Sequence, residues 1–92
     1  MNYIKVKWVH SFRDEPVFLY SELDEGRWEI RKVEVFSDGR MGYADSRRTS
    51  GGTKLGKEPV PSILEIGTDP QFEPMEVTKD EFETIWSKAV HI

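Results

Sequence analysis

The tetrapeptide Ser37-Asp38-Gly39-Arg40 lies between two runs of alternating hydrophobicity, RKVEVF and MGYA. Asp-Gly in that setting favours a two-residue hairpin loop, because both central residues take positive φ and Gly does so without a Cβ clash. Such a loop pairs Phe36 with Met41, Val35 with Gly42, Glu34 with Tyr43 and Val33 with Ala44. Opposed residues share a face of the sheet. The turn therefore commits the middle of the chain to an antiparallel sheet, with small Gly42 and Ala44 beside Val33 and Val35.

The flanking segments extend that sheet. Residues 3–10, YIKVKWVH, alternate strictly, with Ile4, Val6 and Trp8 on one side and Lys5 and Lys7 on the other. Residues 17–23, VFLYSEL, make a second strand, entered through a turn at Asp14 and Pro16 and left through Asp24-Glu25-Gly26. Residues 27–36 form a third with a phase conflict: Trp28 and Ile30 have one parity, Val33 and Val35 the other. A bulge near Arg31–Lys32 reconciles them.

Residues 45–61, DSRRTSGGTKLGKEPVP, have no apolar period and read as a long basic loop. A short helix is expected over residues 62–66 and an edge strand near 75–77. The C-terminal helix opens with Thr78 and Glu81 in capping-box spacing, and Phe82, Ile85, Trp86 and Ala89 form its apolar stripe. The expected fold is α+β: an antiparallel sheet of four to five strands, with a short helix and a C-terminal helix packed on one face. Ile4, Val6, Trp8, Val17, Leu19, Val33 and Val35 are expected to face the C-terminal helix.

At 92 residues this is one domain, 1–92. It has no cysteine, so disulfides, thiolate metal sites and cysteine nucleophiles are excluded, and the cytoplasm is the expected compartment. No apolar run is long enough to span a membrane. Residues 1–60 carry eleven Lys/Arg against ten Asp/Glu, whereas residues 61–92 carry two lysines against seven acids. An acidic end disfavours duplex DNA and suits a basic protein partner.

The segments KWVH, VFLYSEL, RWEIRKVEVFSDGRMGYA, PVPS and TKDEFETIW resemble a family of small bacterial proteins of unknown function, over Tyr3 to Ala89. The resemblance implies a single α+β domain and brings no catalytic residues with it.

The stretch GGTKLGKE approaches a phosphate-binding loop, with Gly51, Gly56 and Lys57 in register. Glu58 replaces the hydroxyl that would hold magnesium, and Pro59 and Pro61 forbid the helix such a loop needs. His10 ends the first strand and His91 is next to last, so the two make a poor metal site, and no spacing singles out triad partners for His10 among Ser11, Ser21 and Glu22. No catalytic set, cofactor or metal is expected. Carboxylates Glu29 and Glu34 are the nearest approach to an acid–base pair, and a solvated strand face accounts for them.

The face opposite the helix is expected to show Lys5, Lys7 and Phe18 with Tyr20, Glu22, Arg31, Glu34, Phe36 and Tyr43, flanked by Arg47 and Arg48 of the loop. Aromatic and arginine side chains in a charged rim are typical of protein interfaces. The leading expectation is a non-enzymatic module that binds a protein partner, as a bacterial immunity protein does when it masks a basic toxin. The alternative is a small-ligand binder for a nucleotide-type anion, using Tyr20, Phe36, Arg31 and the basic loop, with a homodimer to enclose it. Stacking of single-stranded nucleic acid on the rings is a third.

Overall fold

The computed structural model describes residues 1–91. Its elements run β1 (Asn2–Trp8), β2 (Phe18–Leu23), β3 (Glu29–Val35), β4 (Met41–Ala44), β5 (Thr49–Ser50), α1 (Ile63–Ile66), β6 (Phe72–Glu76) and α2 (Lys79–Val90). All strand pairs are antiparallel, in the order β5-β4-β3-β2-β1-β6. The α+β architecture matches the expectation, and the sheet has six strands because Thr49–Ser50 adds an edge beyond β4. At the other edge, Val9 N–H donates to the Gln71 carbonyl and Val77 N–H to that of Tyr3. These bonds fix the phase in which Pro74 would aim an N–H outward. Proline has none, so this edge offers one fewer donor to a passing strand.

Both hairpin registers come from a three-residue loop rather than a two-residue one. In the Asp-Gly turn, Phe36 N–H donates to the Arg40 carbonyl at 2.9 Å and Gly39 N–H to that of Phe36 at 3.0 Å. Only Gly39 has positive φ, at 89°. The extra residue shifts the pairing by one, so Val33 opposes Tyr43, Glu34 opposes Gly42 and Val35 opposes Met41. A one-residue shift reverses the face of every side chain on β4, which corrects the register expected from sequence.

The β2–β3 turn has the same geometry. Asp24 N–H donates to the Trp28 carbonyl at 3.1 Å and Arg27 N–H to that of Asp24 at 2.9 Å. Here the left-handed position falls on Arg27, at φ 66°, one residue after the glycine. A side chain at positive φ costs about 1 kcal/mol. The irregularity in β3 lies opposite Glu22 and Leu23, where Arg31 pairs with Glu22, Glu29 pairs with Leu23, and Ile30 is the extra residue.

The two helices lie on opposite faces. Register places Tyr3, Glu22 and Arg31 in one row across β1, β2 and β3, and Tyr20, Val33 and Tyr43 in the next. Helix α2 packs on this face, with the Phe82 ring 5.5 Å from Tyr3 and the Trp86 ring 5.5 Å from Tyr43. Thr78 caps it by accepting the Glu81 N–H at 3.1 Å. Ile4, Val6 and Leu23 form the core of the other face and meet Val60, Ile63, Ile66 and Phe72. The residues expected under the C-terminal helix are thus divided: Val33 and Val35 lie on its side of the sheet, Ile4, Val6, Trp8 and Leu19 on the other. Alternation identifies two faces and does not say which one the helix takes; here both are covered.

Candidate functional site

By register, seven of the residues expected at a binding face lie on the α2 side, Lys5, Lys7, Phe18, Tyr20, Glu22, Arg31 and Tyr43, and Glu22, Arg31 and Tyr43 are engaged in contacts there. Arg31 Nε donates to Glu22 Oε1 at 2.6 Å and Nη2 donates to Oε2 at 3.0 Å, a bidentate pair. Its Nη1 reaches Glu83 of α2 at 2.7 Å, and the guanidinium lies 4.9 Å from the Phe82 ring centroid. The Arg31 side chain is 19% exposed and that of Glu22 10%. The guanidinium's hydrogen bonds hold the Glu22 carboxyl below the ordinary carboxylate range, and the same bonds push Arg31 up. Burial, and then the hydrogen bond to Glu22, raise Tyr3. Tyr43 packs edge-on against Trp86. Tyr20 is half-buried beneath Lys5, whose Nζ lies 5.6 Å from its centroid.

The other expected residues lie elsewhere. Glu34 points to the opposite face, where the buried Thr53 hydroxyl donates to it at 2.7 Å. A Cβ on Gly42 would overlap that Thr53 side chain. Phe36 sits in the hairpin under Arg40, 5.0 Å from its guanidinium carbon. Arg48 lies over Tyr43 and pairs with Asp45 at 3.3 Å. Arg47 is exposed, and its N–H, with that of Arg48, holds the Asp45 carboxyl low. His10 spends both ring nitrogens locally: Nε2 donates to the Pro16 carbonyl at 2.8 Å and Nδ1 accepts the Phe12 N–H at 2.9 Å. Among the described residues no group of three His, Asp or Glu is placed to hold a metal ion.

The face opposite α2 is where the structure leaves room. Residues 57–71 cross it as a strap that contains α1. The strap is fastened by Arg27, whose Nε donates to the Val60 carbonyl at 2.9 Å and Nη2 to that of Pro61 at 2.8 Å. Val60 N–H returns a bond to the Arg27 carbonyl at 2.8 Å. The positive φ of Arg27 thus falls on the residue whose side chain holds the strap. Between strap and sheet lies a cleft of about 360 Å³, floored by Ile4, Val6, Leu19 and Ser21 and walled by Val60, Pro61, Ile66 and Phe72.

Glu29 and Lys32 close one part of this cleft, and Glu65 and Asp69 line the strap side. The Glu29 side chain is only 5% exposed. Its Oε2 accepts the Ser21 hydroxyl at 2.8 Å and its Oε1 the Gly56 N–H at 2.6 Å, with Lys32 Nζ at 3.8 Å. The glycine of the phosphate-loop near-match thus holds a carboxylate. In the sequence Glu29 reads only as a member of a solvated pair. The phase conflict in β3 was the available signal, since a bulge re-aims the side chains on one side of it.

The model of a family described as a domain of unknown function, DUF6881, matches residues 2–91. The chain belongs to this family. The match covers every strand, the strap and α2, so the cleft lies wholly within the DUF6881 domain. Comparisons with curated proteins and with solved structures give no match. No helix among the described residues is long and apolar enough to cross a membrane.

Proposed function

We propose that this DUF6881 domain is a non-catalytic protein-binding module of the bacterial cytoplasm, an inhibitor or immunity protein that masks the surface of a basic, toxin-like partner. One observation carries the reading. From α1 through β6 into the first turn of α2, the carboxylates of Glu65, Asp69, Glu73, Glu76, Asp80 and Glu81 are all exposed, and Lys79 is the one cation in that stretch. Glu65, Asp69 and Glu76 lie on the strap side of this edge and Glu73 opposes Lys7 on the other, and an acidic strip along an edge of this kind steers a positively charged protein. The arginines that an anionic ligand would need are less available, because Arg31 and Arg48 are each paired with a carboxylate.

The reading is tested by capturing the partner from the source cell, purifying it, and titrating it against the domain at two ionic strengths. The expected result is a one-to-one complex with a basic protein whose Kd rises with salt. A complex indifferent to salt, or one with an acidic protein, would contradict the reading.

A further inference from the structure

We infer that the cleft between the strap and the sheet is a socket for an arginine side chain carried by the partner. The source of that side chain rests on the acidic-docking reading above; its chemistry rests on the cleft itself. At about 360 Å³ the cleft is near the lower end of the range that encloses a small ligand. Its floor and far wall, Ile4, Val6, Leu19, Ile66 and Phe72, suit a run of methylenes. Long charged side chains bury such a stem against apolar surface while their heads meet polar groups.

The polar groups lining this space are mostly carboxylates: Glu29, Glu65 and Asp69 against the single cation Lys32. Glu29 Oε1 is engaged by Gly56 and lies near Lys32, whereas Oε2 accepts only the Ser21 hydroxyl and has a second acceptor site for a further donor. A guanidinium meets a carboxylate through a planar fork and is weakly hydrated, so it enters a half-closed cleft at lower cost than an ammonium. Glu65 and Asp69 belong both to the cleft and to the exposed acidic strip. A basic surface docked on the strip therefore lies over the opening.

The test uses acetyl-Ala-Arg-Ala-amide, with citrulline and lysine counterparts, titrated into the full chain and followed by methyl and amide NMR. The arginine peptide is expected to shift the methyls of Ile4, Val6, Leu19 and Ile66 to saturation. The neutral citrulline peptide should bind at least about tenfold more weakly, as loss of a charged hydrogen bond implies. Leu19→Trp, which fills the cleft, should abolish the shifts; Ile66→Trp serves if that variant does not fold. Equal binding of arginine and citrulline, shifts confined to the outer strip, or binding that survives a folded cleft-filling variant would overturn the inference. Each of those results leaves the salt-dependent complex to be judged on its own. Conversely, a saturable cleft in a domain that binds no basic protein would sink the docking reading and spare the socket.

Discussion

Beneath α2, the Phe82 ring is fully buried, with Tyr3 at 5.5 Å, Trp86 at 6.3 Å and the Arg31 guanidinium at 4.9 Å. Beneath the strap, Ile4 is almost as buried, yet no side chain fills the space between Leu19 and Ile66. Both covers lie on the same sheet and differ in what they are made of. A twelve-residue helix presents a repeating stripe and can carpet three strands. A segment with Pro59 and Pro61 and one four-residue helix has no such stripe, and is held to the turn by the Arg27 side chain and backbone. One face is closed by packing and an ion cluster; the other is bridged, and bridging leaves a cleft.

Four pairs of substitutions would sharpen or break that contrast, taken from the largest effect down. Phe82→Ala should cost about 3–5 kcal/mol in urea unfolding, whereas Ile66→Ala, on the half-exposed strap, should cost only about 1. Similar losses would mean that the two faces are equally packed. Arg31→Met should cost about 2–4 kcal/mol, because it leaves Glu22 without its bidentate partner. The same pair sets a pH dependence. The folded-state pKa of Glu22 is depressed, so its contribution is present above the unfolded value of about 4.3 and is lost as pH falls through the lower folded value. A stability–pH curve for Glu22→Gln should be flatter on its acid limb than wild type; an unchanged limb would remove the ion pair from the account.

Arg27→Ala should cost about 1–2 kcal/mol and speed amide exchange at Val60, through loss of two hydrogen bonds to the strap. Arg27→Gly should recover roughly 0.5–1 kcal/mol of that by relieving the positive φ, without restoring slow exchange at Val60. Finally, Leu19→Phe should leave stability within about 0.5 kcal/mol of wild type, since it grows into empty space. Val33→Phe on the closed face should cost about 1–3 kcal/mol. Equal costs for these two enlargements would mean that the cleft is filled in solution.

Much of the fold is legible in the sequence because its signals are local. The alternation of Ile4, Val6 and Trp8 and the stripe of Phe82, Trp86 and Ala89 locate β1 and α2 within a residue or two. Registers are less legible. Asp-Gly supports both two- and three-residue loops, and the choice made here puts positive φ on Gly39 alone while Asp38 accepts the Arg40 N–H at 3.0 Å. That one residue moves Tyr43 to the α2 face and brings Gly42 under Thr53. The candidate site depends on non-local pairings that no single stretch announces. Glu29 enters the cleft face because Ile30 is extra opposite β2, and its carboxylate is held by Gly56, 27 residues away. Arg31 and Glu22 look like surface charges until α2 supplies Glu83.

The central claim is that the bridged face, and not the closed one, receives the partner. Amide hydrogen exchange of the domain, free and in complex with the purified partner, tests it directly. The account expects slowed exchange at Val60, Ile66 and Gly67 of the strap on complex formation, with Trp86 and Ala89 of α2 and Tyr43 beneath it unchanged. Protection centred on α2 and Tyr43, with the strap exchanging as it does in the free domain, would contradict it.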